Sequence, residues 1–533
     1  MKRIMIVEDE TAIREFEAIN LKRVGYTVVE AGSGEEALEI YKKLGFKLPK
    51  DGEAENLRAV VEVSDTLAGA IDKSLDYLKY YEYECNEQTM NRFVPAAVAR
   101  EVLILRGFGE RLKDVDVLTG KSLKKLFEHQ NSDGGWGWFW GAYEHSYEHM
   151  TAIIVRGLAE AKRYGVKVPG EVIERGVKWL KTRQEESLKY IKKYKTRPWA
   201  NDVLTSYAIL LANGGKADDV MKEMMRCAYD TRFDLPIYAQ ALLGLAFDLT
   251  AEKEQRDTIV RNLKQYLKTD SENGTVYLNL GNHGYWWCWY GSDFEAQAMA
   301  LKLFLKTEPQ SDLTRGLALY LYNNRISRRY WTSTRDTGLA IEALAEYCRK
   351  VEKKKDKYVS AYLTYLTYEE PIKAAGLELK VNRTISRVSE VVSDSMGRGA
   401  LGQSLAQERT REVLVPLKDS DEVKPGETLE IRVDLDSKND YEYILIEDRK
   451  GAGFEPLDGK SGWKNLGGGW AYVEYREKKT AMFLREISRG VYSFSYRVRV
   501  ETPGAIHVLP AKVEAMYSPR LCGNSDEIRL KIR

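Results

Sequence analysis

Histidine and cysteine are both scarce in this chain, with five of each among 533 residues. The cysteines, at 85, 227, 288, 348 and 522, are scattered. No Cys-x-x-Cys or Cys/His spacing suits zinc, no disulfide framework suggests itself, and the odd number leaves at least one thiol unpaired. An excess of either charge is lacking too. The 82 basic and 80 acidic residues leave a net +2, so no strong field toward nucleic acid or acidic lipid is expected. No stretch approaches the roughly 20 apolar residues of a membrane span. The opening "MKRIMIVEDE" carries no cleavable signal, because its short apolar run meets acids at once. Taken literally, the chain is expected to stay in the cytoplasm. Aromatic residues, by contrast, are plentiful: 33 Tyr, 11 Trp and 13 Phe. With 44% hydrophobic and 30% charged residues, the profile is globular and long enough for about two to four domains.

Three patterns follow one another. Residues 1–45 read as strand, helix, strand, helix: "RIMIVEDE", "TAIREFEAINLKRVG", "YTVVEA" and "SGEEALEIY". This short α/β fragment resembles the first third of a response-regulator receiver domain, with Glu8 and Asp9 in that family's acidic, Mg²⁺-holding positions. The pattern then stops. Asp51 lies near the distance expected of a phosphoacceptor, but "KKLGFKLPKDGEAEN" supplies no apolar strand before it. An acidic pair without its nucleophile has no reaction to run, so Glu8 and Asp9 read as a solvated strand end.

Residues 57–350 form a helical region. Segments such as "MTAIIVRGLAEAKRYG", "GEVIERGVKWLKTRQ", "LPIYAQALLGLAFDL" and "TRDTGLAIEALAEYCRK" recur, alternately Ala-rich and charged, many ending in Gly or Asn. Repeated helix pairs predict a closed ring or solenoid, with "QNSDGGWGWFW" as a turn between two helices. Its first residues, "LRAVVEVSD", read as a strand. Residues 405–533 alternate with period 2 ("ETLEIRVDLDS", "GVYSFSYRVRVE") between turns such as "KPG" and "TPG", and predict an antiparallel β-sandwich. Residues 357–390 read as a strand and linker, and 389–408 as a loop. The fold expected is therefore multidomain: an α/α toroid followed by an antiparallel β-sandwich and preceded by a short α/β fragment.

The stretch "YEYECNEQTM" carries the chemistry. Cys85 and Gln88 stand at i and i+3, which face one another on a first helical turn. The thiol can attack the carboxamide and expel ammonia, leaving an internal thioester. Such an acyl donor survives only where water is excluded, and Tyr81 and Tyr83 stand just upstream.

"YEYECNEQTMNRFVPAA" resembles the thioester segment of bacterial α2-macroglobulins. "DGGWGWFW", "MTAIIVRGL" and "WTSTRDTGLAIEAL" are similar to the same family's thioester domain in the same order. "LDSKNDYEYILIEDRKGAGFEPL" and "HVLPAKVEAMYSPRLCGNSDEIRL" are similar to its C-terminal macroglobulin domain. The resemblance covers about residues 57–533 and makes 357–390 a remnant of the flanking β-domain. It implies that Cys85 and Gln88 form the thioester, with Glu87 a motif neighbour. Tyr81, Tyr83, Met516 and Tyr517 would form an aromatic lock over it. It also implies a host-defence, protease-trapping inhibitor rather than an enzyme, working outside the cytoplasm on proteases or other amine-bearing proteins, without metal or cofactor. Glu82 and Glu84 stand where Pro and Gly are common, placing two carboxylates near a site that should be dry. Relatives that acylate hydroxyls use a later histidine. The corresponding "KYKTRPWANDV" has none, so amines are the implied targets, and His129, His145, His149, His283 and His507 read as surface or helix-end residues. The family's macroglobulin array and bait region are not found in this sequence, which predicts a weakly held lock. Rival readings are a terpene- or squalene-cyclase-like toroid, for which no D-x-D-D or D-D-x-x-D run is found, and a receiver-type signalling fusion.

Overall fold

The computed structural model describes residues 3–7, 27–31, 55–64, 66–141, 144–271, 274–280, 292–326, 328–353, 358–366, 372–398 and 404–533. Glu8 and Asp9 lie outside them. Two units are distinguished, one holding all the described helices and one running over residues 369–533.

In the first unit, Arg3–Val7 and Thr27–Ala31 pair in parallel, from Arg3↔Thr27 to Val7↔Ala31. Twelve α-helices follow among the described residues. They are α1 (Ala68–Lys79), α2 (Asn86–Leu105), α3 (Leu112–Glu128), α4 (Glu148–Arg163), α5 (Gly170–Tyr194), α6 (Ala200–Ala212), α7 (Asp219–Asp230), α8 (Ile237–Leu249), α9 (Lys253–Lys264), α10 (Asp293–Thr307), α11 (Asp312–Asn323) and α12 (Thr334–Lys350). The even-numbered helices pack in sequence, α2 on α4, α4 on α6, and so on to α12, which packs back on α2. They close a six-membered inner ring, and the odd-numbered helices cover it from outside.

The alternation in sequence follows from this. An inner helix has neighbours on every side, so α4 buries every residue from His149 to Ala161. An outer helix buries a single stripe: in α5 these are Ile173, Gly176, Val177, Leu180, Gln184, Leu188 and Ile191, the spacing of one helical face. Short polar caps start several helices. Ser292, Ser311, Ser333 and Asp218 accept from the backbone three residues on, at 2.9–3.2 Å.

Two tryptophans mark repeated corners of the ring. Trp136 donates Nε1–H to the Leu126 carbonyl (2.7 Å) at the end of α3, and its backbone N–H to Thr151 Oγ1 in α4 (3.0 Å). Trp331 does the same with Leu321 of α11 (3.1 Å) and Thr337 of α12 (3.0 Å). Each tryptophan, through its indole and its main-chain N–H, thus ties the end of an outer helix to the start of the next inner one. Ring closure rests on Glu352, whose carboxylate accepts from Leu67 N and Thr66 Oγ1, both at 2.7 Å, and pairs with Arg106 at 3.0 Å.

The bore is filled by ions. Arg156 of α4 makes a bidentate pair with Glu342 of α12 (2.8 and 3.0 Å). Lys302 of α10 reaches Glu342 at 3.0 Å and Glu160, on the opposite helix α4, at 3.7 Å. All four side chains are buried. Burial alone would raise the Glu342 carboxyl, but the two cations outweigh it and hold it at about 2.

A hairpin of Leu267–Asp270 and Thr275–Leu278 interrupts the helices. Glu55–Ser64 pairs antiparallel with Tyr358–Leu366, so "LRAVVEVSD" finds its partner beyond α12.

The second unit is a sandwich. One sheet orders Phe454–Pro456, Gly490–Val500, Thr428–Ser437, Leu379–Arg398 and Ser404–Pro416. The other orders Gly462–Asn465, Trp470–Tyr475, Lys479–Ile487, Tyr441–Arg449, Ala511–Ala515 and Ser518–Asn524. Leu429, Ile431, Val433 and Leu435 alternate into a core shared with Ile444, Ile446, Phe494 and Val498. Inside it, Arg383 pairs with Asp448 at 2.9 Å, and Tyr496 OH donates to the same carboxylate at 2.7 Å.

Two expectations are corrected here. The segment 389–408 is not a loop: its described residues belong to a hairpin registered from Ser386↔Pro416 to Arg398↔Ser404. A backbone ladder needs no apolar alternation, so "SEVVSDSMGR" gave little sign of it. The sandwich consequently starts at Leu379, ahead of residue 405 and within the stretch read as a remnant of the flanking domain.

Candidate functional site

The site grows from the first turn of α2. Cys85 is the N-cap, with extended backbone (φ −63°, ψ 173°), and Gln88 is the third residue of the helix. The two form a reciprocal capping box. The Gln88 backbone N–H points at the Cys85 sulfur, and the Cys85 N–H donates to Gln88 Oε1 at 3.0 Å. Sulfur and carboxamide are therefore folded toward one another over one turn. A serine or threonine would cap this helix better, since sulfur is a weak acceptor. Helix start alone does not account for the cysteine.

The turn is dry. Cys85 is 2% exposed, Gln88 1% and Glu87 0%. Gln88 Nε2 is buried and has no hydrogen-bond partner, a situation that costs about 1–3 kcal/mol. Glu87 faces the start of α12, where Thr334 Oγ1 lies 3.3 Å from its carboxylate, and Asn91 donates to it from one turn on. A carboxylate in the first turn suits the helix dipole.

Asn86 fixes the far side of the cysteine. Its N–H donates to Trp138 O (2.9 Å), and its amide nitrogen donates to Gly137 O and Phe139 O (both 3.0 Å). Its Oδ1 lies 2.7 Å from His129 Nδ1. Because the Asn86 amide nitrogen is spent on carbonyls, its oxygen must accept, which places the His129 proton on Nδ1. His129 stacks on Trp140 at 4.2 Å. Burial, with the nearby Lys125 ammonium, lowers its pKa to about 4. The Gly/Trp-rich turn is thus the wall of the site. Gly134 is required there, with φ +96° and the Arg175 carbonyl 2.8 Å from where a Cβ would stand.

The aromatic residues divide between the units. Tyr83 is buried and meets Tyr81 edge-on at 5.9 Å. Tyr81 meets Tyr77 at 5.7 Å, and Tyr77 stacks on Tyr330 at 4.4 Å. Met516 and Tyr517 belong to the second unit. There Met516 N donates to Tyr443 O at 3.0 Å, and the Tyr517 ring packs edge-on against Tyr443 at 5.6 Å.

Three readings of side chains change. Glu84 does not bring a bare carboxylate to the dry turn: it pairs with Arg92 at 2.8 Å and with Lys125. Burial would raise its pKa, but these cations prevail and lower it. Glu82 is exposed. His149 stands at a helix end, in the first turn of α4, but not on the surface. It is 6% exposed, and its Nδ1 lies 2.8 Å from Oδ1 of Asn201, within the "KYKTRPWANDV" stretch. Burial, then Arg335, pushes its pKa well below the usual value. Sequence reasoning missed His129, His149 and Arg92. The one available signal was His129 standing next to "QNSDGGWGW". Among the described residues no cluster of His, Cys, Asp and Glu is arranged to hold a metal, and no helix is long and apolar enough to cross a membrane.

Comparison with known proteins places this geometry in context. Residues 59–347 match the family model of the A-macroglobulin TED domain, and residues 402–520 that of the bacterial alpha-2-macroglobulin MG10 domain. An alpha-2-macroglobulin of Thermotoga maritima is 26% identical over 282 residues, which are 53% of this chain and 15% of the relative. The chain thus spans a small part of that protein's length. Among solved structures, Salmonella alpha-2-macroglobulin reacted with methylamine is similar with a TM-score of 0.63 at 17% identity, over 91% of this chain and 32% of that one. Native Escherichia coli alpha-2-macroglobulin, from domain MG7 to the C-terminus, gives 0.60 at 17% identity, over 91% and 80%. At these identities the likeness shows the toroid followed by antiparallel sheets.

Proposed function

The chain belongs to the A-macroglobulin TED domain family, and on that premise we propose that Cys85 and Gln88 condense to an internal thioester that captures amine-bearing proteins, proteases foremost. In forming it, Cys85 Sγ bonds to Gln88 Cδ, the Cδ–Nε2 bond breaks, and the thiol proton leaves with the nitrogen as ammonia. In capture, a lysine amine bonds to Cδ, the Cδ–S bond breaks, and a proton from the amine returns to sulfur. Each thioester is used once, so the protein is a trap and not a catalyst.

One observation carries the reading: the reciprocal cap of Cys85 and Gln88, with the Gln88 nitrogen buried and unpartnered. The Cys85 N–H already lies on the oxygen that becomes negative in the tetrahedral intermediate, as an oxyanion donor must. Expelling the nitrogen removes the unsatisfied group. The His129, Glu87 and Trp138–Phe139 surroundings supply the water exclusion that a thioester requires. Tyr81 and Tyr83 are proposed as its cover, and the targets are met outside the cytoplasm.

Intact mass before and after methylamine treatment tests this. The untreated protein should be lighter than its sequence by one ammonia. Methylamine should add at Gln88 and liberate the Cys85 thiol, and Cys85→Ala should do neither. Incubation with a protease should give a denaturant-resistant adduct that depends on Cys85. An unmodified Gln88 and no methylamine uptake in the folded wild type would refute the proposal.

A further inference from the structure

Arg92 lies on α2 one turn beyond Gln88, so the two share a helix face. It is 6% exposed, yet its guanidinium is not committed to one carboxylate. Nε donates to the Leu78 carbonyl (2.8 Å), Nη2 to those of Tyr83 (2.8 Å) and Tyr81, and Nη1 to Glu84 Oε1 (2.8 Å). Three of the four acceptors are main-chain carbonyls at the end of α1 and in the segment that leads to Cys85. Residues 81–84 lie outside helix and strand, and so have no ladder of their own to fix them. The second oxygen of Glu84 pairs with Lys125 of α3, which ties the same carboxylate to a third helix.

The consequence is geometric. Asn86, held by the turn at residues 137–139, fixes the chain after the cysteine, and Arg92 fixes the chain before it. Cys85 is the residue between the two grips. Because Arg92 and Gln88 ride on the same helix face, the guanidinium ties the incoming segment to the very element that carries the carboxamide. A planar fork with five N–H groups can serve four divergent acceptors, whereas an ammonium cannot reach them together.

We propose that Arg92 is the positioning residue for thioester formation, setting where Cys85 Sγ stands relative to Gln88 Cδ. The proposal rests on the thioester reading above. A displacement of about 1 Å between reacting atoms costs on the order of 100-fold in rate, so a looser segment leaves free thiol and intact glutamine in otherwise folded protein. Loss of packing alone would act differently. It would lower the unfolding midpoint while leaving every folded molecule with its thioester.

The experiment compares wild type with Arg92→Lys and with the double variant Glu84→Gln/Arg92→Met, which removes the clamp without stranding a carboxylate. Folding is checked by circular dichroism, and thioester occupancy is read by intact mass and methylamine uptake on the folded fraction. Occupancy is expected to fall at least fivefold in both variants, with a matching rise in Cys85 labelling by a thiol reagent. Wild-type occupancy in either folded variant overturns the proposal, and the double variant supplies the reading should the lysine variant not fold. If wild type itself carries a free Cys85, the thioester reading fails separately. The clamp is then read from the rate of Cys85 alkylation: acceleration in the variants supports it, and an unchanged rate overturns it.

Discussion

Replacing Glu342 with glutamine should unsettle the toroid from its axis, and by an amount that depends on pH in a calculable way. The carboxylate is the shared partner of Arg156 and Lys302, both buried. Glutamine keeps the shape and strands the Arg156 guanidinium, while Lys302 retains Glu160 at 3.7 Å. Breaking one partner out of a buried ion pair costs about 3–5 kcal/mol. The pH dependence follows from linkage. The Glu342 pKa is depressed from 4.5 to about 2 in the folded chain. Its stabilisation is therefore complete above the unfolded value and is lost as pH falls through the folded one. The shift corresponds to about 3 kcal/mol at pH 7 and about 1 kcal/mol at pH 3. Groups common to both proteins cancel in the difference. Urea unfolding followed at 222 nm reads the first unit selectively, since all the described helices belong to it. The gap between wild type and variant should be several kcal/mol at pH 7 and narrower by about 2 kcal/mol at pH 3. A gap below about 1 kcal/mol at pH 7, or one that does not change with pH, would show that the ionic bore does not hold the ring in the way argued.

Two further outcomes are expected of stability measurements. Trp136→Phe and Trp331→Phe each remove one indole hydrogen bond at equivalent corners. They should destabilise the toroid by similar amounts, about 1–3 kcal/mol for the buried carbonyl left unpaired, and strongly unequal losses in urea melts would argue against equivalence. In the sandwich, Arg383→Met leaves Asp448 buried with Tyr496 and should cost about 3–5 kcal/mol. Hydrogen exchange should show this in the Thr428–Ser437 strand while α2 and α4 keep their protection.

What could be read from residue order differs from element to element. The alternation of Ala-rich and charged helices was legible because an inner helix is buried on all faces, its few charges paired, and an outer one on a single stripe. That Cys85 and Gln88 would face one another was legible, because residues three apart share a face on a first helical turn. The pairing of Leu379–Arg398 with Ser404–Pro416 was not, since backbone pairing leaves no composition signal when the partner strand is itself polar. Arg92 was illegible for another reason. Its acceptors are carbonyls, which every residue possesses, so nothing in "NRFVPAAVAR" distinguishes a clamp from a surface arginine. His149 and Asn201 are distant in sequence and meet because α4 and α6 are neighbours in the ring. That adjacency emerges only once the order of inner helices is known.

The closed ring also sets a schedule. The helix that carries Cys85 and Gln88 packs on α12, and Glu352, just past the end of α12, seals the seam. A ribosome must therefore deliver roughly 265 further residues after Cys85 before the last inner wall exists, about 13–50 s at ordinary elongation rates. Until then Glu87 lacks Thr334, and the segment before α1 lacks Glu352. The contact of Glu87 with Thr334 is thus the last wall the proposed site acquires, from the opposite end of the helical region.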